Sequence, residues 1–175
     1  MIFRVSCVLC FILWGSAARA ADHAPGDALV VSFGQASNGI DVFRLAWRRS
    51  FSGPLFCWHE HCVGGYYEAA LSDWSGDDDD IVVASFSPVL VHEFKQGAKT
   101  FKPYIELGLG AALLSDTRID RRNLSSNFVF ESRLGVGLRS DRLDVNLRFM
   151  HDSNAGLSEP NDGLSMFMVS LGYAF

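Results

Sequence analysis

Apolar and polar residues alternate along this chain in short blocks of about ten, separated by polar stretches. The clearest block sets Leu143, Val145, Leu147 and Phe149 against Asp144, Asn146, Arg148 and Met150. A period of two sends successive side chains to opposite faces, so the block predicts a strand with one apolar face and one mostly polar face. Following the parity forward, His151 and Ser153 sit at the end of the apolar face, and Asp152 points the other way.

Seven further blocks read the same way. They are 28–35 (Leu29, Val31, Phe33), 39–49 (Phe43, Leu45, Trp47 against Arg44, Arg48) and 63–73 (Tyr67, Ala69, Leu71 against Tyr66, Glu68, Ser72). Next come 81–94 (Val82, Ala84, Phe86, Leu90 against Ser85, Ser87) and 101–114 (Ile105, Leu107, Leu109 against Tyr104, Glu106). The last two are 127–139 (Phe128, Phe130, Leu134, Val136 against Glu131, Arg133) and 163–175 (Phe167, Val169, Leu171, Tyr173 against Ser170, Gly172). Pro88 makes the fourth strand irregular, because it has no N–H to give a ladder.

A soluble sandwich turns its apolar faces inward. Here the polar faces carry Arg44, Arg48, Glu68, Glu106, Glu131, Arg133 and Arg148, which can pair inside a narrow barrel while the apolar faces meet lipid. This is the pattern of an all-β, eight-stranded antiparallel transmembrane β-barrel, closed so that no backbone group is left unpaired in lipid. A secreted soluble barrel is the alternative reading of the same alternation. Eight strands leave an interior filled by side chains, so no pore is expected.

The first twenty residues depart from this pattern. Arg4, an apolar run from Val5 to Trp14 and the small-x-small triplet Ala18-Arg19-Ala20 predict a secretory signal peptide, residues 1–20, ahead of a single domain, 21–175. The run is too short to span a bilayer as a helix, which takes about 20 apolar residues. Removing it takes Arg4 and Arg19 from the 15 basic residues and leaves the 20 acids, so the net charge goes from −5 to −7. An acidic chain is a poor partner for nucleic acid. Even strand number and a periplasmic N-terminus put the connections near 36–38, 74–80, 115–126 and 154–162 outside, and those near 50–62, 95–100 and 140–141 in the periplasm. His151 and Ser153 then face lipid at the outer leaflet, where an ionisable residue is a functional candidate.

The residues around that pair resemble a known family. His151-x-Ser153-Asn154-Ala155-Gly156 followed by Pro160-Asn161-Asp162-Gly163, together with Lys102 to Gly110, Ser115 to Arg118 and Asn127 to Gly137, is similar to the lipid A 3-O-deacylases (PagL type) of Gram-negative outer membranes. The resemblance covers roughly 80–175 well and the first half loosely. It implies a serine esterase that removes the 3-O-linked acyl chain of lipid A, in the outer membrane, with lipopolysaccharide as substrate, no cofactor and no metal. The family triad of serine, histidine and glutamate maps onto Ser153, His151 and position 165, where this chain has Ser165. A serine cannot stabilise an imidazolium as a carboxylate does, although its oxygen can accept the histidine N–H. Glu159 and Asp162 are the nearby acids that can substitute. A catalytically impaired or non-catalytic barrel with a structural or adhesion role is the competing expectation, and a homodimer is open.

Other features bear on the same chemistry. Asn154 and the amides near Gly156 are oxyanion-hole candidates, and Asn-Ala-Gly is equally a turn sequence. Arg118, Arg121 and Arg122 are candidates for lipid A phosphates. Asp77 to Asp80 can share a divalent cation with such phosphates or be simply solvated. Cys57 and Cys62 predict a disulfide in an exported chain, with a Cys/His metal site as the alternative reading of Cys57-Trp58-His59-Glu60-His61-Cys62.

Overall fold

The computed structural model describes residues 26–59, 61–94 and 100–175, so the assigned signal peptide, 1–20, lies outside the described residues. In chain order the strands are β1 (Asp27–Ala36), β2 (Asp41–Ser50), β3 (Phe56–Trp58), β4 (His61–Ser75), β5 (Asp80–Glu93) and β6 (Lys102–Leu114). They continue with β7 (Arg118–Ile119), β8 (Arg122–Asn123), β9 (Phe128–Arg139), β10 (Leu143–Ser153) and β11 (Leu164–Ala174). One sheet runs β2-β1-β11-β10-β9-β6-β5-β4-β3, and a β2–β4 pairing closes it. Without β3, eight strands form a closed antiparallel barrel in which every neighbour is adjacent along the chain except the first and last strands, β1 and β11. Each expected segment coincides with one of them to within a few residues.

Consecutive residues show the lipid-facing alternation plainly. Glu106 is 1% exposed, Leu107 59%, and Leu109 65%. Phe33 and Phe43, and Phe149 and Phe167, pair across neighbouring strands on the outer surface, with ring centroids 5.1 and 5.0 Å apart. Such cross-strand aromatic contacts help pin register. At Pro88 the β5–β6 ladder passes from Phe86 opposite Ala111 to Val89 opposite Gly108, with no pairing at Ser87 or Pro88. The irregularity is confined to that edge, since β4–β5 pairing runs through Pro88 opposite Tyr67.

The interior is packed in tiers. In the middle, Glu68 accepts from Arg48 Nε at 2.8 Å and Arg133 Nη1 at 2.7 Å, and Arg44 Nη2 stands 3.0 Å away. Glu131 pairs with Arg44 at 2.8 Å, with Arg133, and with the Ser87 hydroxyl at 2.7 Å. Arg148 Nε lies 2.9 Å from Glu106. Buried charges are tolerated only when paired and hydrogen-bonded in this way. Toward the end where β10 stops, an apolar plug of Trp74, Ile119, Leu124, Met150, Leu164, Met166 and Met168 replaces the ions. Met150, Met166 and Met168 share the inward parity of the charged residues, so alternation alone does not separate the two tiers.

At the opposite end Cys57 and Cys62 are bonded, with S–S 2.05 Å and Cα–Cα 4.1 Å, between β3 and β4. The short β3 falls in a stretch where the alternation predicts only a connection. So does the β7–β8 hairpin, because strands of two residues leave no period to read.

Candidate active site

His151 and Ser153 end β10 on its outward face, both half-buried, while Asp152 between them is buried in the barrel. The β10–β11 ladder sets His151 directly opposite Ser165. Their side chains meet, with His151 Nδ1 2.9 Å from Ser165 Oγ. The other ring nitrogen is left on the side of Gly163. A Cβ built on Gly163 would lie 2.9 Å from His151 Cε1 and 3.2 Å from Nε2. Gly163 also has φ +50°, so both backbone and ring call for glycine. The β10–β11 pairing ends one residue short of Ser153, at Asp152 opposite Leu164, and Gly163 is the residue just before β11. The Ser153 hydroxyl donates to no group among the described residues.

The neighbouring β9 contributes a serine that sequence reasoning missed. Ser132 is paired with His151, and its hydroxyl donates to the His151 carbonyl at 3.3 Å. It occupies an outward position between Phe130 and Leu134. Parity could have found it, but only with β9 and β10 in register.

The acids stand apart from the histidine. The Asp162 carboxylate accepts from the Asn123 amide at 2.8 Å, and Glu159 is exposed in the loop. Among the described residues the hydrogen-bond partner of the His151 ring is the Ser165 hydroxyl.

The oxyanion-hole candidates are placed differently from the expectation. Asn154 is fully buried, and its Nδ2 donates to the carbonyls of Leu124 at 2.7 Å and Ser158 at 2.8 Å. Its Oδ1 accepts from the Gly156 amide at 2.8 Å. These groups hold the loop rather than point free, because a buried amide must satisfy its own donors first. The Asn154 backbone amide donates to Asn161 Oδ1 at 3.2 Å, which brings the Asn161 amide against the peptide that follows Ser153. Asn161 belongs to the Pro160-Asn161-Asp162-Gly163 segment that carries the resemblance, but nothing in the sequence pairs it with the Asn154 amide.

The three arginines also separate. Arg118 and Arg121 are exposed. Arg122 turns inward, and its Nη1 donates to the carbonyls of Asp162 at 2.9 Å and Gly163 at 3.4 Å. Two of its donor contacts are thus committed to the backbone beneath His151 rather than offered to a phosphate. The acidic run is tied too, since the amides of Asp77 and Asp78 donate to the Asp120 carboxylate at 3.2 and 3.1 Å. The connections at this end of the barrel therefore brace one another around the end of β10.

The chain and its barrel are matched among known proteins. The family model described as lipid A 3-O-deacylase (PagL) matches residues 41–174. The lipid A deacylase PagL of Pseudomonas aeruginosa is 42% identical over 108 residues, 60% of this chain and 61% of that protein. The corresponding protein of Bordetella bronchiseptica is 38% identical over 73 residues, 41% of each chain. The matched stretches span less than two thirds of either relative. The crystal structure of the outer membrane enzyme PagL superposes with a TM-score of 0.76 at 32% identity, covering 83% of this chain and 97% of that one. The architecture agrees across nearly all of that barrel, and the chain belongs to the lipid A 3-O-deacylase (PagL) family of outer-membrane β-barrels.

Proposed function

We propose that this chain is a lipid-facing serine esterase that removes the 3-O-linked acyl chain of lipid A. The observation that carries the reading is an outward-facing histidine held by the Ser165 hydroxyl, with Ser153 two residues on along the same face of β10. His151 Nδ1 engages Ser165 at 2.9 Å and leaves Nε2 free on the side of Gly163, to serve Ser153. A serine hydroxyl becomes a competent nucleophile when a base takes its proton as it attacks. With Nδ1 donating to Ser165 Oγ, the free Nε2 is the basic nitrogen, which is the tautomer the reaction needs.

Ser153 Oγ attacks the ester carbonyl and its proton passes to His151 Nε2. The tetrahedral intermediate collapses, the C–O bond to the sugar breaks, and the leaving sugar oxygen takes the proton from His151. Water, deprotonated by the same nitrogen, then attacks acyl-Ser153 and releases the fatty acid. The donors available for the transient oxyanion are the Ala155 amide and Asn161 Nδ2, since those of Asn154 and Gly156 are occupied. Preorganised donors of this kind are each worth about 3 kcal/mol. The outward site suits an ester at the head-group boundary, and exposed Arg118 and Arg121 suit lipid A phosphates.

One observation favours a second reading, an impaired or non-catalytic barrel: the residue on Nδ1 is a hydroxyl, not a carboxylate. Purified protein given labelled lipid A in mixed micelles, with and without Ser153→Ala, separates the two. Release of the 3-O-acyl chain by the wild type alone supports the esterase. No release by either supports the non-catalytic barrel.

A further inference from the structure

At the end of the barrel opposite the candidate site, the wall formed by β2 and β4 runs past the rim. β4 starts at His61, and β3 pairs with it through Phe56 opposite Val63, Cys57 opposite Cys62 and Trp58 opposite His61. The register carries one face of the wall onto this extension. On β4 the lipid-facing positions are Tyr67 and Leu71, so Val63 and His61 share their parity, and Phe56 and Trp58 face the same way as their partners. The disulfide occupies the other face. On β5 the same outward parity runs through Leu90 and His92, and Phe94 follows at the strand end.

The aromatic surface is continuous. Phe86 stacks on Tyr67 with ring centroids 5.9 Å apart, Tyr67 meets Phe51 at 4.8 Å, and Phe51 covers Gly65. Below them His92 meets Phe94 at 5.0 Å. Yet the extension itself is bare: Leu55 is 58% exposed, Phe56 59% and Trp58 75%. Three large apolar side chains held rigid by a disulfide in water would be a standing liability. Girdles of aromatic residues instead flank the lipid-facing band of such barrels at the head-group boundary, and the tryptophan ring suits it because its N–H side can be wet while the rest is apolar.

We propose that residues 51–59 and 61–63 form a disulfide-locked anchor that seats Phe56 and Trp58 in the head-group/acyl boundary of the membrane leaflet opposite the candidate active site. The occupant is a phospholipid surface, because the face that bears these residues is the uninterrupted continuation of the face that meets lipid. The disulfide fixes which way that face points, since a frayed hairpin could turn it away.

The test uses the full mature barrel in phospholipid vesicles that contain brominated lipid. Bromine quenches tryptophan fluorescence on contact, and its position along the chain sets the depth that is read. Subtracting the Trp58→Phe protein from the wild type isolates Trp58 from Trp47 and Trp74. The expected result is a blue-shifted Trp58 component, quenched more by bromine near the head-group end than by bromine near the chain terminus. The Cys57→Ser/Cys62→Ser barrel should lose at least half of that quenching while remaining folded by its heat-modifiable gel shift. An unquenched Trp58 component overturns the proposal. So does quenching that vanishes as protein is concentrated in the bilayer, which would mean that a second copy covers the hairpin. Neither readout depends on enzymatic activity.

Discussion

His151 and Ser165 lie opposite each other across the β10–β11 ladder, and the imidazole Nδ1 is 2.9 Å from the serine oxygen. The contact orients the ring without supplying charge. It makes the candidate site a histidine–serine pair whose third member can position but cannot neutralise.

Removing either reacting group should stop the chemistry and spare the barrel. Ser153→Ala and His151→Ala are each expected to lower 3-O-deacylation to background, because nucleophile and base act as a unit. Both side chains are half-buried on the outer wall and contribute little to interior packing. Mass spectrometry of lipid A after incubation, beside a heat-modifiability gel, checks both halves. Wild-type rates in either folded variant would exclude the assignment.

Arg122 reaches the site through backbone. Its guanidinium holds the Asp162 and Gly163 carbonyls, and Gly163 packs under the His151 ring. Arg122→Ala should therefore let the ring drift and lower kcat by on the order of ten- to a hundredfold, as small misplacements do. KM should change far less. A phosphate-binding arginine would give the reverse split, with KM rising and kcat held. Initial rates across lipid A concentrations decide between the two.

Glu68 is the hub of the buried ion network, with Arg44, Arg48, Arg133 and Arg148 all within 3.5 Å. Glu68→Gln leaves buried guanidinium groups short of counter-charge, which costs about 3–5 kcal/mol. Replacing a partner as well, in Glu68→Gln/Arg133→Met, should recover part of the loss. Urea unfolding of the three proteins in lipid vesicles measures this.

Much of this arrangement was legible in the sequence because lipid imposes it. The outer face must be apolar at every second residue, so Leu143 to Phe149 and the seven similar blocks announce their strands. That His151 and Ser165 share the outward face was legible for the same reason, whereas a period of two leaves their register open, and only the family resemblance pointed to position 165 before the ladder set the two opposite each other. The loops obey no such period. Asn154 bonds to Leu124, thirty residues away in sequence. Arg122 bonds to Asp162, forty residues away. A sequence assigns such residues by type, as donor or phosphate binder, whereas their partners are set by how the loops fold together. The apolar plug was hidden too, because Met150 and Met166 occupy inward positions that are charged elsewhere.

The most informative substitution is Ser165→Glu. Ser165 faces outward at the rung of His151, its oxygen 2.9 Å from Nδ1, so a glutamate there can accept an Nδ1–H. Its carboxylate would hold the tautomer and also stabilise the imidazolium that forms when Ser153 attacks, which is the acid's role in a triad. Losing that role in a comparable triad costs on the order of 10⁴ in rate, so restoring part of it should raise plateau activity at least about tenfold. The pH dependence has a definite sign. A neighbouring carboxylate favours charged histidine, and the base works only when neutral. The acidic limb of the kcat/KM profile should therefore move to higher pH in Ser165→Glu while the plateau rises. A glutamate in the half-buried position of Ser165, at the membrane boundary, should cost little compared with one at the bilayer midplane. Ser165→Gln provides the control: it offers a hydrogen-bond acceptor of nearly the same shape without charge, so it should neither raise the plateau nor move the acidic limb upward. Profiles of the three proteins in detergent–lipid micelles test the argument. If Ser165→Glu folds and is no faster at any pH, Ser165 is not where this site lacks its acid.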